Sequence, residues 1–390
     1  MQGTGSAGKK RLRLFLRWFF RIAVLLLVFY VLRYRTEWDE FGAAFAGVSW
    51  FFVFLAILAN LASIMLKAAS WKVIFDFTFG FRGRWRDLTS AIMIGFLVNA
   101  LVPARIGELA RAYVITRRQA IRGHFLSRST AFGTVVLERV FDGVAMALLV
   151  LFGITRLNLP AWADRGAIAI LIIAAAFGAA VIFLEAKREK LRKGAEAAKA
   201  ATQENHPWWR KQLTRLHGVV ARFSEGQQVL RNPLRIVVVF CTTSLSWTSQ
   251  LVAVYLSVRA FHLVNPSGNS IGMSGALLLL ILINIAGALP ATPGNVGIFQ
   301  LATVIPLSVT FGIPESTALA FSIGLQAIEG SIGLGLGSLF LLREGLSFKE
   351  VRSESLRDRE EIEEKGEEIQ EEIEEEIAGE IKEEAGKREK

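Results

Sequence analysis

Arg105, Glu108 and Arg111 fall within seven residues of one another, in Asn99-Ala-Leu-Val-Pro-Ala-Arg-Ile-Gly-Glu-Leu-Ala-Arg111, and the sequence around them is otherwise apolar enough to lie in a membrane. An ionisable side chain at the centre of a span costs about 2.5 to 3.5 kcal/mol on insertion scales, so three together need partners or a solvated pocket. Pro103 and Gly107 interrupt the helical pattern here. If Gly107 opens a new helix, Glu108 and Arg111 share a face, and Arg105 precedes a helix start whose N–H groups favour an anion. The arginine fork fits phosphate oxygens, and two arginines neutralise one phosphodiester. The spacing therefore predicts Arg105 and Arg111 as contacts to a phosphate or headgroup, with Asn99 beside them and Glu108 as a positioning carboxylate or proton carrier. The competing reading is structural: Glu108 pairs with Arg111 or with Arg139 and locks the break.

Further along, Glu138-Arg-Val-Phe-Asp142 puts Glu138 and Asp142 one turn apart on one helical face with Arg139 adjacent. They either line the same polar site or bridge helices. A second break, Leu289-Pro-Ala-Thr-Pro-Gly-Asn-Val-Gly-Ile-Phe-Gln300, supplies Pro293, Gly294, Asn295 and Gly297, where backbone can take unusual torsions and present amides to a ligand. Gln300 follows one turn later. Gln326 and Glu329 lie three apart in the last apolar segment, whose Gly324, Gly330, Gly333, Gly335 and Gly337 read as a helix-packing face.

The elements that must carry these residues are membrane elements. The chain is 52% hydrophobic and its apolar residues come in blocks of roughly 20, the length needed to cross a bilayer. Six segments are long enough, at about 15–32, 50–69, 129–154, 167–184, 236–258 and 317–342; two more, at about 88–114 and 274–311, are apolar but broken. Basic residues before the first segment and in the linkers after the second segment and after the first break (Lys72, Arg82, Arg84, Arg86; Arg117, Arg118, Arg122, Arg128) all belong on the cytoplasmic side. The first broken segment must then enter and return on that side, as a re-entrant hairpin turning at Pro103, and parity makes the second, turning near Pro293, dip in from outside. The expected fold is an all-α polytopic membrane protein of inverted repeats, with about six full spans plus two re-entrant helical hairpins and both termini cytoplasmic in the plasma (inner) membrane. Such repeats with broken helices build transport sites near the bilayer midplane.

The formal charge of +10 is unevenly spread: residues 349–390 hold 9 basic and 18 acidic side chains, leaving 36 against 17 elsewhere, a net of +19. Basic loops against an anionic inner leaflet account for that excess, so nucleic acid is not inferred as a partner. One cysteine, Cys241, excludes an internal disulfide, and four scattered histidines form no metal-ligand spacing, so no metal and no cofactor is expected. Residues 1–342 are read as the transmembrane domain, with 185–235 a cytoplasmic amphipathic insert lying on the inner leaflet or docking a soluble pathway enzyme, and 343–390 as a charged acidic tail, helical or disordered.

Taken together, Pro103 to Arg111, Glu138 to Asp142 and Pro290 to Gly297 make the chain resemble the lysylphosphatidylglycerol synthase transmembrane-region family of flippase-like membrane proteins, over about residues 12 to 342. The resemblance implies translocation or handling of a lipid or a lipid-linked headgroup. It carries onto Pro103, Arg105, Gly107, Glu108 and Arg111, then Glu138, Arg139 and Asp142, then Pro290, Pro293, Gly294 and Gly297. Gln300 stands where the family usually has an acidic residue, which argues against ion coupling at that position. The sequence shows no aminoacyl-transferase domain after residue 342, so lysyl transfer is not expected. The expected function is a flippase for a phosphate-containing lipid or lipid-linked headgroup. The alternatives are an integral-membrane transferase using Glu108 or Glu138 as base, or a non-transporting scaffold; the oligomeric state is open.

Overall fold

The computed structural model of the chain describes residues 37–102, 106–156, 228–288 and 292–362, with the single positions Ile172 and Ala179. Within these residues the architecture is helical, and the sole strand-like pairing is the isolated bridge between Val264 and Ser270. The expected spans at about 15–32 and 167–184, most of the 185–235 insert and the tail beyond 362 lie outside the described residues.

The helices follow the apolar blocks. A short α1 (Trp38–Ala46) precedes α2 (Trp50–Phe79); α3 (Trp85–Leu101) and α4 (Gly107–Ala120) are the halves of the first broken segment; α5 is Arg128–Arg156. After them come α6 (Pro233–Ala260), α7 (Gly272–Ala288) and α8 (Ile298–Phe311), the last two separated by a 3-10 turn at Pro293–Asn295. The final helix, α9 (Glu315–Arg343), contains a π-helical turn at Ile332–Leu336. Three of these, α2, α6 and α9, are long and apolar enough to cross a membrane. Although α5 has 29 residues, it carries Glu138, Arg139 and Asp142 near its middle. The first long helix runs ten residues past the expected end at Ala69, so Lys72 belongs to α2 rather than to a loop.

Both breaks appear where proline and glycine predict them. The first pair doubles back: Asp87 at the start of α3 accepts from Gln119 (3.3 Å) in the last turn of α4 and from Arg122 (2.9 Å) just beyond it. At the other end the Gly107 N–H, unsatisfied at a helix start, donates to Asn99 Oδ1 at 2.7 Å. Close packing of these halves needs glycine. A methyl group on Gly95 would fall 2.6 Å from Arg111 Cγ and 2.8 Å from the Gly107 carbonyl oxygen, and one on Gly107 would overlap Gly95 and Asn99.

Elsewhere, small hydroxyl residues let α2 and α6 approach: Ser63 meets Ser246 at 3.1 Å and Ser70 meets Thr243 at 2.8 Å. Of the two larger apolar clusters among the described residues, one surrounds α3 and α4 with Trp71 and Phe75 of α2, and the second joins α6, α7 and α9 around Phe261 and Phe321. Helical residues 348–362, after α9, lie against α4 and the start of α5 through Tyr113 to Glu350 (2.9 Å) and Arg128 to Glu354 and Asp358 (3.0 Å each).

Candidate functional site

The two breaks meet. A Cβ placed on Gly294, in the 3-10 turn of the second, would stand 3.2 Å from the Ala100 carbonyl oxygen in the last turn of α3. Beside this junction lies a cavity of about 320 Å³, lined on one side by Lys67 of α2, Glu108 of α4 and Arg139 of α5, and on the other by Gln250, Asn284, Gln326 and Glu329 of α6, α7 and α9. Asn60, Asn99, Gly294 and Asn295 also reach it.

The charged wall is an alternating network. Arg139 donates to Glu108 Oε1 at 2.6 Å and to Asp142 Oδ2 at 3.2 Å. Lys67 Nζ lies 2.5 Å from the same Asp142 oxygen and 3.3 Å from Glu138 Oε1, while Trp247 Nε1 donates to Asp142 Oδ1 at 3.1 Å. Behind Lys67, Arg111 is hydrogen-bonded to Glu138, with both side chains almost wholly buried. Its guanidinium stacks 4.4 Å from the Trp71 ring centroid, and Trp71 Nε1 is held by Thr134 at 3.0 Å. Three cations, Lys67, Arg111 and Arg139, thus face three carboxylates, Glu108, Glu138 and Asp142. Unscreened ions in an apolar setting cost several kcal/mol each, and mutual pairing is what makes the cluster tenable.

The opposite wall is uncharged apart from Glu329. Gln300 Oε1 accepts from the Gly297 N–H at 2.7 Å, satisfying the start of α8, and its amide donates to Gln326 Oε1 at 2.7 Å; Gln326 in turn donates to the Gly294 carbonyl at 2.8 Å. The sequence of this turn suits its backbone: Gly294 and Gly297 have φ of 62° and 91°, and Asn295, a residue that tolerates the left-handed region, has φ of 58°. Gln250 donates to Glu329 Oε1 at 3.2 Å.

Of the residues expected from sequence, the structure brings Asn99, Glu108, Arg139, Gly294, Asn295, Gln326 and Glu329 to one cavity. Gly107, Gly297 and Gln300 shape its helix starts, and Glu138 and Asp142 both reach Lys67. Arg111 is not among the lining residues: it is spent on Glu138 and Trp71. The internal pairing of Glu108 with Arg139 is present. Pro103, Arg105 and Pro290 lie outside the described residues, as does the side chain of Pro293. Sequence reasoning passed over Lys67, Asn60, Trp247, Gln250 and Asn284. The available signal was Lys67, a lone cation in an otherwise apolar span, which asks for a buried partner.

Residues 18–337 match the family described as the lysylphosphatidylglycerol synthase TM region. The chain belongs to that family. It is an integral membrane protein, and the network, cavity and glycine turns lie within the matched region. The chain is 24% identical over 360 residues to a UPF0104 membrane protein of Methanothermobacter thermautotrophicus, covering 86% of this chain and 96% of that one. It is 25% identical over 307 residues to a protein of Haloferax volcanii named glycosyltransferase AglD, covering 72% of this chain but 47% of the relative, so it spans about half of that protein's length. No solved structure matches.

Proposed function

We propose that the protein is a lipid translocase whose headgroup site is the cavity at the junction of the two helix breaks. The observation that carries this is a polar cavity of about 320 Å³ lined by Lys67, Glu108, Arg139 and Glu329 in a chain of an integral membrane family. A cavity of this size suits a headgroup, while acyl or polyprenyl tails can remain in the bilayer. Arg139, with Arg105 in the adjoining linker and Lys67 behind, offers phosphate contacts; the carboxamides of the opposite wall offer both donors and acceptors.

In this reading α3 with α4, and α7 with α8, are re-entrant hairpins of two inverted repeats, and alternating access arises when one unit rocks against the other around the fixed cavity. Residues 1–342 form the transport domain, 185–235 rests on the anionic inner leaflet or docks a soluble pathway enzyme, and both termini face the cytoplasm of the cell membrane. The expected substrate is a phosphate-containing lipid or lipid-linked headgroup.

The test is reconstitution into liposomes carrying acyl-labelled phosphatidylglycerol or, separately, a polyprenyl phosphate hexose, with transbilayer movement followed by chemical quenching of the outer leaflet. Arg105→Ala and Arg139→Lys are expected to slow movement at least about tenfold, the effect of losing roughly 1.4 kcal/mol of contact energy, while thermal unfolding in detergent stays near the parent value. Parent rates in both variants would remove the site.

The similarity to a protein named glycosyltransferase supports a second reading, transfer onto a lipid-linked acceptor with Glu108 or Glu138 as base. Mass spectrometry of the lipid after incubation separates the two, since a translocase leaves its substrate chemically unchanged.

A further inference from the structure

Glu329 differs from the other acids at the cavity. Glu108 pairs with Arg139, Glu138 with Arg111 and Lys67, and Asp142 with Lys67 and Arg139, whereas Glu329 has no cation within salt-bridge distance among the described residues and accepts one hydrogen bond, from the neutral amide of Gln250. The charged groups lining the same cavity are Lys67 from α2, Glu108 from α4 and Arg139 from α5; α6 and α7 contribute Gln250, Trp247 and Asn284, and α8 contributes Phe299. The three cations and three carboxylates of the first wall balance in formal charge, so Glu329 is the uncompensated group.

From this geometry we infer that Glu329 is a proton-binding site that couples lipid movement to a transmembrane pH difference, an inference that rests on the translocase reading above. A carboxylate closed off from water inside a membrane protein with no cation beside it is costly, and a carboxylate open to water is not. The cavity can therefore close around Glu329 once a proton from the open side sits on its carboxyl oxygen, and reopening to the other side releases that same proton there. One proton is carried per cycle and no other bond changes.

A second observation places Glu329 at a mechanical joint. The π-helical turn begins three residues later, at Ile332, and such turns cluster at functional sites. Gly330 and Gly333 line the cavity. The same helix then rests on the first hairpin without room for a side chain: a methyl on Gly333 would lie 3.3 Å from Phe96 Cβ, and one on Gly337 would lie 2.6 Å from the Met93 carbonyl oxygen. A change of charge on Glu329 thus acts on the helix that bears directly on α3.

Two measurements test the inference. In infrared spectra of the full chain in lipid, a carboxylic-acid C=O band is expected to rise as pH falls, to vanish in Glu329→Gln and to shift in Glu329→Asp; persistence of an unchanged band in Glu329→Gln would overturn the assignment, whether or not any lipid moves. In liposomes with labelled phosphatidylglycerol or polyprenyl phosphate hexose, one unit of imposed pH difference should change the steady transbilayer ratio about tenfold, the value of one proton. Whatever rate of movement Glu329→Gln retains should ignore the pH difference, whereas Glu329→Asp should keep the dependence. Movement in the parent that ignores the pH difference would sink the coupling and leave the headgroup site standing; absence of any probe movement in the parent, with the titrating band present, would count against the translocase reading instead.

Discussion

The two helix breaks solve one problem with different chemistry. Each leaves a helix start without intrahelical acceptors in apolar surroundings, where an unsatisfied backbone group costs several kcal/mol. At the first, Asn99 caps Gly107, and everything around it is ionic: Glu108 to Arg139, Arg111 to Glu138, Lys67 bridging Glu138 and Asp142. At the second, a relay of neutral amides, Gln300 to Gln326 to the Gly294 carbonyl, does the same job with glycine torsions in place of charge. Ions hold strongly once paired but tolerate no missing partner, whereas amides bind less strongly and can exchange partners with a ligand or water. The first break is accordingly the fixed wall of the cavity, and the second is the adaptable one.

The sharpest way to break this contrast is to unpair a buried ion. Glu138→Ala strands the buried Arg111 and leaves Lys67 with Asp142 alone, and should cost about 3 to 5 kcal/mol, enough to unfold a marginal protein. Replacing both partners, Arg111→Met with Glu138→Leu, should recover most of that loss, since well-packed apolar pairs often match buried ion pairs. Thermal unfolding in detergent reads both, and a single variant as stable as the parent would show that water already solvates the pair. Next in size is Gly107→Ala, where the added methyl meets Gly95 and Asn99. Overpacking of that kind costs about 1 to 3 kcal/mol. By contrast, a methyl on Gly294 meets the Ala100 carbonyl oxygen at 3.2 Å and Val296 Cγ2 only at ordinary contact distance, 3.9 Å, so Gly294→Ala is dominated by the left-handed backbone cost of about 1 to 2 kcal/mol.

Much of this arrangement was legible in the residues. Proline and glycine marked both breaks, hydropathy marked the long helices, and the spacing of Glu138 and Asp142 put both on the face that meets Lys67. The residues offered Glu108 two partners, Arg111 and Arg139, and the structure takes Arg139; what escaped was the partner of Arg111, Glu138. Arg111 and Glu108 stand one helical turn apart and invite each other as partners, yet each turns to a residue some 30 positions away, on α5. Charge type and helical face are local properties, whereas the choice of partner depends on how α4 lies against α5. Lys67 was hidden for a related reason. It falls two residues before the expected end of its span at Ala69; the ten further helical residues after Ala69 instead place it mid-helix, opposite two carboxylates.

At the second break a smaller effect is expected. Gln326→Leu leaves the Gln300 amide and the Gly294 carbonyl unpaired, but Gly294 lines a polar cavity that the shortened side chain opens to water, so the loss should stay near 1 kcal/mol, at the low end for an unsatisfied polar group. A cost equal to that of Glu138→Ala would erase the distinction between the walls. Amide hydrogen exchange over residues 292–300 offers a finer reading, with faster exchange expected in the variant and no change over the first hairpin.

The smallest effect tests whether burial, rather than ionic chemistry as such, makes the first break rigid. Arg128 holds Glu354 with two nitrogens at 3.0 Å and Asp358 at 3.0 Å, and stacks over the Tyr113 ring, so by contact geometry it equals the buried pairs. Its side chain, however, is 44% exposed, and solvent screening should reduce Arg128→Ala to about 0.2 to 1 kcal/mol, falling further at high salt. The partner Asp358 sharpens the point: burial raises its carboxyl above the ordinary carboxylate range in spite of Arg128. The folded state then binds a proton more readily than the unfolded chain, so this group's contribution to stability declines as pH rises through that range. Salt should therefore move the melting temperature of the parent slightly through residues 348–362 and do so less in Arg128→Ala, whereas the pH dependence from Asp358 should grow in that variant because Arg128 opposes the upward shift; Glu138→Ala keeps its full cost at every ionic strength. A salt-sensitive Glu138→Ala would mean that the ionic wall is as wet as the tail contact, and the cavity would then owe its rigidity to packing at Gly95 and Gly107 instead.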